Sequence, residues 1–428
     1  MPAGPMEQRA ETGFARLRWT GNLASRIAAI LGAMALALAA IVFAQTGELA
    51  QRAFLALYHR ASWAPLVLTP ALFMTVVWFT RRFWPLARGS GIPQVMAACH
   101  NPDGAKAAAL LSPATAIAKF VGTLLILLAG GSAGREGPTV QISASIMMAV
   151  NRILRVPITS GVVIAGGAAG VAAAFNTPLA GVAFAIEELA AAFEQKVAVQ
   201  VMAAVMIAGL VSLGLSGDYI YFGAMSATLD LRTMLMVVPL AGIGGGVLGG
   251  LFARAMVALA WSGAPWLVRI KARPLVLAGV CGLIVAITGV VSDGLSWGTG
   301  YETTRALLEG HHVPLAFGPA KLVSTLATAL SGAPGGIFAP SLSVGAGLGQ
   351  ALAMIFPTHG DGAIVVLGIV GYFSGVVRAP LTAIIIVMEM TADRSMILPL
   401  FGTALIADWA SAMVCRPKLY HALSLSFR

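Results

Sequence analysis

Two short stretches place chemistry-bearing residues where helices would begin. Gly134-Arg135-Glu136-Gly137-Pro138 and Gly335-Gly336-Ile337-Phe338-Ala339-Pro340 each lie just ahead of an apolar run. Glycine followed by proline at the head of a helix leaves backbone N–H groups without partners in that helix. Those groups and the helix dipole attract an anion. If the two segments run antiparallel, both N-termini aim at one place. Gly134, Arg135, Gly137 and Gly336 would then frame an anion site that carries no full positive charge, so an ion could bind and still leave. The plainer reading is that the glycines only let helices pack closely. Two such breaks at one spacing favour the anion site.

Glu136 is a carboxylate inside a break suited to anions, so it should compete with them. Deprotonated, it would occupy the site; protonated, it would leave. Ionisable groups at membrane depth mark function by default, and the alternative is a glutamate that merely steadies the helix dipole. An internal repeat helps to decide. Shifted by 202 positions, Ala118-Lys119-Phe120-Val121 falls on Ala320-Lys321-Leu322-Val323, Gly134 and Pro138 fall on Gly336 and Pro340, and Pro178 and Glu187 fall on Pro380 and Glu389. Glu136 falls on Phe338, and Glu188 falls on Met390. A residue that breaks the symmetry is the better candidate for function, so Glu136 and Glu188 stand out. Glu187, matched by Glu389, reads as structural. Lys119 and Lys321 are also matched and read as snorkelling or pairing near helix ends, although Lys119 keeps the alternative of tuning the potential in a pore.

The elements that would position these residues follow from composition. The 428 residues are 58% hydrophobic and 10% charged, with a mean hydropathy of +0.87. Soluble chains carry about 25% charged residues. Apolar stretches recur from Ala28 to Met413 and do not alternate, which predicts an all-α polytopic membrane protein in preference to a barrel. Spans over 28–44 and 64–80 come first. Later runs are interrupted by Gly and Pro at 89–93, 130–138, 166–178, 332–340 and 371–380. Many are too short to cross about 30 Å of hydrocarbon. Broken helices survive at depth only where they are buried in protein or line a cavity, so the breaks are candidate binding places. The expected organisation is a cytoplasmic segment over 1–23, a first membrane copy over 24–216, a linker over 217–232, a second copy over 233–415, and a cytoplasmic segment over 416–428. Hydropathy leaves the relative orientation of the copies open, though inverted repeats are frequent in transporters.

The formal net charge of +10 reads as topology. Arg9, Arg16, Arg18 and Arg26 precede the first span, Arg81, Arg82 and Arg88 follow the second, and Arg269, Lys271 and Arg273 share a mid-chain loop. Arg416, Lys418 and Arg428 follow the last span. No basic run is interleaved with aromatics, so nucleic acid is not an expected partner. Cys99, Cys281 and Cys415 are far apart, and none of the six histidines sits at ligand spacing on a helix. No disulfide framework, metal site or cofactor is expected. Nor is an enzyme, for want of a nucleophile–base or metal cluster at depth. No cleaved signal peptide is expected, and no soluble regulatory domain beyond Tyr420.

These motifs resemble the CLC chloride channel and transporter family. Gly89-Ser90-Gly91-Ile92-Pro93, the 134–138 motif and Gly336-Ile337-Phe338-Ala339-Pro340 carry the likeness. Asn176-Thr177-Pro178-Leu179-Ala180-Gly181 with Glu187-Glu188, and Arg378-Ala379-Pro380-Leu381-Thr382 with Glu389-Met390-Thr391, extend it over nearly the whole membrane region. The resemblance implies antiparallel repeats whose broken helices meet at the midplane. It implies a central chloride held by the Ser90 and Tyr420 hydroxyls and by the N–H groups of Ile337 and Phe338. Glu136 matches the gating glutamate, which exchanges with chloride and takes protons from outside. Glu188 matches the inner proton glutamate of exchangers, usually replaced in passive channels. The implied protein is a chloride/proton antiporter in a lipid bilayer, a homodimer with a pore in each protomer. Its expected location is the inner membrane of a bacterium, with both termini cytoplasmic. The competing readings are a passive voltage- or pH-gated chloride channel of the same fold and a fluoride/proton exchanger; the serine of the first motif speaks against fluoride.

Overall fold

The computed structural model describes residues 5–189, 195–217, 220–223, 229–356, 361–392 and 395–428, with the side chains of 5–22, 195–197, 216 and 361 left aside. The side chains of Arg9, Arg16 and Arg18, residues 1–4, and positions 218–219 and 224–228 of the expected linker therefore lie outside the described residues. Among the described residues there is no strand, and the all-α expectation holds. In chain order the helices are α1 (Pro5–Arg60), α2 (Ala64–Phe83), α3 (Ile92–His100), α4 (Ala105–Leu110), α5 (Pro113–Leu128), α6 (Glu136–Ile153), α7 (Ser160–Phe175), α8 (Pro178–Phe184) and α9 (Gln195–Ser216). There follow α10 (Leu231–Trp261), α11 (Pro265–Lys271), α12 (Pro274–Val291), α13 (Tyr301–Leu308), α14 (Phe317–Leu330), α15 (Phe338–Ile355), α16 (Asp361–Val377), α17 (Pro380–Thr391), α18 (Ile397–Val414) and α19 (Leu419–Ser424).

The repeat is visible in this order. Helices α6 and α15 begin 202 residues apart, at Glu136 and Phe338, and end 202 apart, at Ile153 and Ile355. The packing repeats as well. Helix α6 lies against α5 and α7, α7 against α9, and α1 against α6, α7 and α9; in the second half α15 lies against α14 and α16, α16 against α18, and α10 against α15, α16 and α18. Small residues set the separation in the tightest of these contacts. A Cβ on Gly245 of α10 would fall 2.3 Å from the carbonyl carbon of Gly371 in α16, and one on Gly249 would fall 2.5 Å from that of Gly375. With lipid on the outside, such close approach rather than hydrophobic drive holds membrane helices together.

Among the described residues, eight helical segments are long and apolar enough to cross a membrane. Most leave half or more of their apolar window uncovered, but Phe338–Ile355 is 72% buried, making α15 the innermost of them. The first is longer than the span expected over 28–44. Its apolar part runs Leu23–Arg60, 38 residues, or about 57 Å at ~1.5 Å per residue. Gln45, Glu48, Gln51 and Arg52 read as the end of a span, yet they lie on one face of a continuous helix and line an internal cavity. Glu48 accepts from Arg135 and Gln51 accepts from Thr299 N–H, so polar groups on this face do not require the helix to stop there.

Local signals account for the helix starts. Ser112, Thr159 and Asp230 cap α5, α7 and α10 through their side-chain oxygens, and proline stands in the first turn of α2, α5, α8, α12 and α17. At α6 and α15, as at the starts of several shorter helices, no side chain caps: neither Arg135 nor Ile337 at the N-cap supplies a side-chain oxygen. Their first N–H groups are left for something else.

Candidate functional site

The two helix breaks meet. Gly134 N–H donates to the Gly336 carbonyl at 2.8 Å, and Gly336 N–H donates back to the Gly134 carbonyl at 2.8 Å. The pair is an antiparallel bridge between residues 202 apart, so equivalent residues of the two copies exchange equivalent bonds, as a two-fold axis through that point requires. The lead-in segments run in opposite directions there, and α6 and α15 depart from it with their N-termini together. A second bridge ties in the first motif: Gly89 N–H donates to the Ala333 carbonyl at 3.2 Å, and Gly335 N–H donates to the Gly89 carbonyl at 3.1 Å. Glycine here leaves room for the Glu136 and Ser90 side chains. A Cβ on Gly134 would sit 2.2 Å from Glu136 Oε2, and one on Gly137 would sit 2.3 Å from Ser90 Oγ.

Glu136 is fully buried. Its Oε2 accepts the Ala339 N–H at 3.4 Å, and its Oε1 accepts the Tyr301 hydroxyl at 2.7 Å. The carboxylate of the first copy thus rests on the open N-terminus of α15 in the second, the place an anion would take. Phe338, at the same helix start, packs its ring against Phe373 (4.9 Å between centroids), Tyr420 (5.8 Å), Phe184 (6.1 Å) and Phe175 (6.2 Å). These rings wall the seat without adding charge.

Ser90 and Tyr420 reach the same neighbourhood from α3's lead-in and from α19. Neither hydroxyl completes a hydrogen bond to the rest of the protein, and the two lie close to each other. A buried hydroxyl left in this state costs about 1–3 kcal/mol. Two such donors beside two uncapped helix N-termini fit a halide, which accepts from O–H and N–H alike.

The two other glutamates separate as their symmetry suggests. Glu187 accepts from Leu381 N–H (3.2 Å), Thr382 N–H (2.8 Å) and the Thr382 hydroxyl (2.8 Å), capping α17. Glu389 accepts from Leu179 N–H (3.1 Å) and Ala180 N–H (2.8 Å), capping α8. Each copy's glutamate closes the other copy's helix. Glu188 is buried in a π turn over Ala185–Leu189, and its Oε1 has no partner. The extra residue of a π turn rotates the positions that follow, and such turns are frequent at functional sites. Here it lets Glu187 cap while Glu188 turns inward.

Both lysines are fully buried and are held by loop carbonyls. Lys119 Nζ donates to Arg88 (3.1 Å) and Gly89 (2.7 Å); Lys321 Nζ donates to Ser296 (3.1 Å), Trp297 (3.3 Å) and Gly298 (2.7 Å). They pin the loops that deliver Ser90 and Tyr301. Arg135 turns its side chain away from the seat: the guanidinium donates to the Ala44 carbonyl at 2.6 Å, to Glu48 at 3.2 Å and to the Tyr221 hydroxyl, bracing α1.

Tyr301 is the contact that motif reading misses. Its loop, Gly298-Thr299-Gly300, has the pattern of Gly89-Ser90-Gly91, and α3 and α13 begin at Ile92 and Tyr301. That spacing is 209 residues, not 202, so a search at one fixed offset passes over it. The bracing lysines confirm the equivalence, since each holds the glycine that opens its loop.

A family model described as voltage gated chloride channel matches residues 71–412. The H(+)/Cl(-) exchange transporter ClcA of Yersinia pestis bv. Antiqua (strain Angola) is 30% identical over 403 residues, covering 87% of this chain and 81% of that protein. Among solved structures, a slow cyanobacterial Cl-/H+ antiporter superposes with a TM-score of 0.80 at 24% identity, covering 94% of this chain and 97% of the other. A CLC-type fluoride/proton antiporter superposes with a TM-score of 0.78 at 22% identity, covering 94% and 98%.

Proposed function

This chain belongs to the voltage gated chloride channel family, the CLC proteins, and from that premise we propose that it is a secondary active antiporter exchanging chloride for protons. The observation that carries the reading is the Glu136 carboxylate, buried on the N-terminus of α15. A side chain that can carry either a negative charge or a proton stands where the anion would stand. Each helix N-terminus offers roughly half a positive charge, enough to hold one anion and too little to hold it permanently. While ionised, Glu136 fills the seat. On taking a proton it loses the attraction of both dipoles and yields the place to chloride, held by the Ser90 and Tyr420 hydroxyls and the N–H groups of Ile337 and Phe338. Chloride and proton then move in opposite senses because one seat serves both.

The inner proton step is assigned to Glu188. Its buried, unpartnered oxygen supports an exchanger over a passive channel, which needs no second acid. The names of the Yersinia relative and of the cyanobacterial structure support the same choice. The fluoride/proton structure shares the fold, while the serine at position 90 supports chloride as the cargo. We further infer a homodimer with one pore per protomer, in the inner membrane of a bacterium with both termini cytoplasmic. The C-terminal half of α1 and the cavity it lines then lie toward the outside.

Paired chloride and proton flux in liposomes tests the reading. A chloride gradient should drive protons uphill through the wild type. Glu136→Ala should still pass chloride and lose the coupling. Chloride flux without proton movement in the wild type would turn the reading into the channel.

A further inference from the structure

The hydrogen bond between Tyr301 and Glu136 joins two positions at which the copies differ. Glu136 is replaced by Phe338 in the other copy, and Tyr301, first residue of α13, stands where α3 has Ile92. The rest of the frame is shared: Gly91 and Gly300 are the N-caps of α3 and α13. A Cβ on Gly91 would meet Gln141, and one on Gly300 would meet Ser343, 202 residues further on. Scaffold contacts thus come in pairs, whereas this contact has no counterpart.

Tyr301 is only partly buried, and it lines a cavity of about 350 Å³ together with Gln45, Glu48, Arg52, Arg135, Tyr221 and Arg305. Its ring packs on Tyr221 (4.8 Å between centroids) and Phe222 (5.9 Å), which fixes the phenol's aim. The hydroxyl reaches Glu136 Oε1 at 2.7 Å, shorter than the 3.4 Å bond from Ala339 N–H. Of the two protein donors on the carboxylate, the phenol is the closer, and it stands between the seat and the cavity.

We propose that Tyr301 is a positioning residue that latches the ionised Glu136 carboxylate in the anion seat and so sets how readily the seat is vacated. The proposal rests on the exchanger reading above. An ionised carboxylate accepts the phenol's hydrogen bond strongly; a protonated one gains less from it. The latch therefore favours the closed, deprotonated arrangement. The other titratable groups near Glu136 are Arg135, from its own lead-in and with its guanidinium turned to Glu48 of α1 and to Tyr221, and Tyr420 of α19. Tyr301→Phe leaves all of them in place and keeps the ring packing.

The test is chloride turnover and proton coupling in liposomes at matched pH on both faces. Removing a donor to the charged form raises the proton affinity of the carboxyl group. Tyr301→Phe should therefore turn over several-fold faster near neutrality, and its acid activation should be centred about one pH unit higher, which is a tenfold change in that equilibrium. Protons moved per chloride should not change. A turnover and pH profile superimposable on those of the wild type would overturn the latch. Added to Glu136→Ala, the substitution should have no further effect, because no carboxylate remains to be held. If it shifts Glu136→Ala by the same factor as the wild type, the phenol acts on the frame and the proposal fails. A wild type that moves no protons against chloride sinks the exchanger reading and the latch together; a coupled wild type with an unaltered Tyr301→Phe sinks the latch alone.

Discussion

At the scale of single residues, symmetry sorts the acids more sharply than burial does. Glu187 and Glu389 bind the same kind of target in opposite copies, while Glu136 and Glu188 have no acidic counterpart. Glu188→Gln keeps the size and removes the charge and the exchangeable proton. It should abolish uphill proton movement while chloride flux persists, as read in the paired flux assay; intact coupling would remove Glu188 from the proton route. In the sequence the offset of 202 singles out Glu136 and Glu188, glycine and proline mark the Phe338 turn, and Ser90 enters only through the family resemblance. The aim of side chains was not. Arg135 belongs to the anion motif by sequence, yet its guanidinium serves α1, since a full positive charge on the seat would bind an anion too tightly to release it.

At the scale of elements, caps supplied across the copies replace caps supplied locally. Neither Thr177 nor Ala379 at the N-caps of α8 and α17 makes a side-chain capping bond; the glutamates of the opposite copy do so instead. Glu389→Ala exposes two N–H groups of α8, and Glu187→Ala exposes two of α17. Each should lower the stability of the folded protein by about 1–3 kcal/mol, seen as a lower thermal midpoint in detergent, with similar size for the two variants and with coupling retained in the molecules that stay folded. Unequal losses would show that the two caps are not equivalent. Sequence patterning places most helices but shortens α1, because polar residues facing an internal cavity look the same on paper as residues that end a span. It also passes over α13, because the second copy has seven fewer residues between this helix start and its lysine than the first copy has, which shifts the register of the repeat.

Across the whole molecule, the seat is shared property. Ser90, Glu136 and Gly137 come from the first half, and Tyr301, Phe338, Ala339 and Tyr420 from the second. Neither half can build it alone. A chain divided within 217–232 should give chloride flux only when both pieces are made together, and either piece alone should give none; flux from a single piece would show a pore that does not need the meeting point. The outer faces of both halves carry large apolar side chains, among them Ile153, Val291, Leu398 and Met413, as expected of surfaces that meet acyl chains or a second subunit.

The reciprocal amide bonds between Gly134 and Gly336 bear on how such a machine can move. They fasten the two halves at the proposed seat of the cargo, so a mechanism in which those halves swing apart would have to tear that place open. The groups gathered at that junction are small: a carboxylate, a phenol, a pair of hydroxyls. Under the exchanger reading, access is then expected to switch by rotation of these side chains with the junction kept closed.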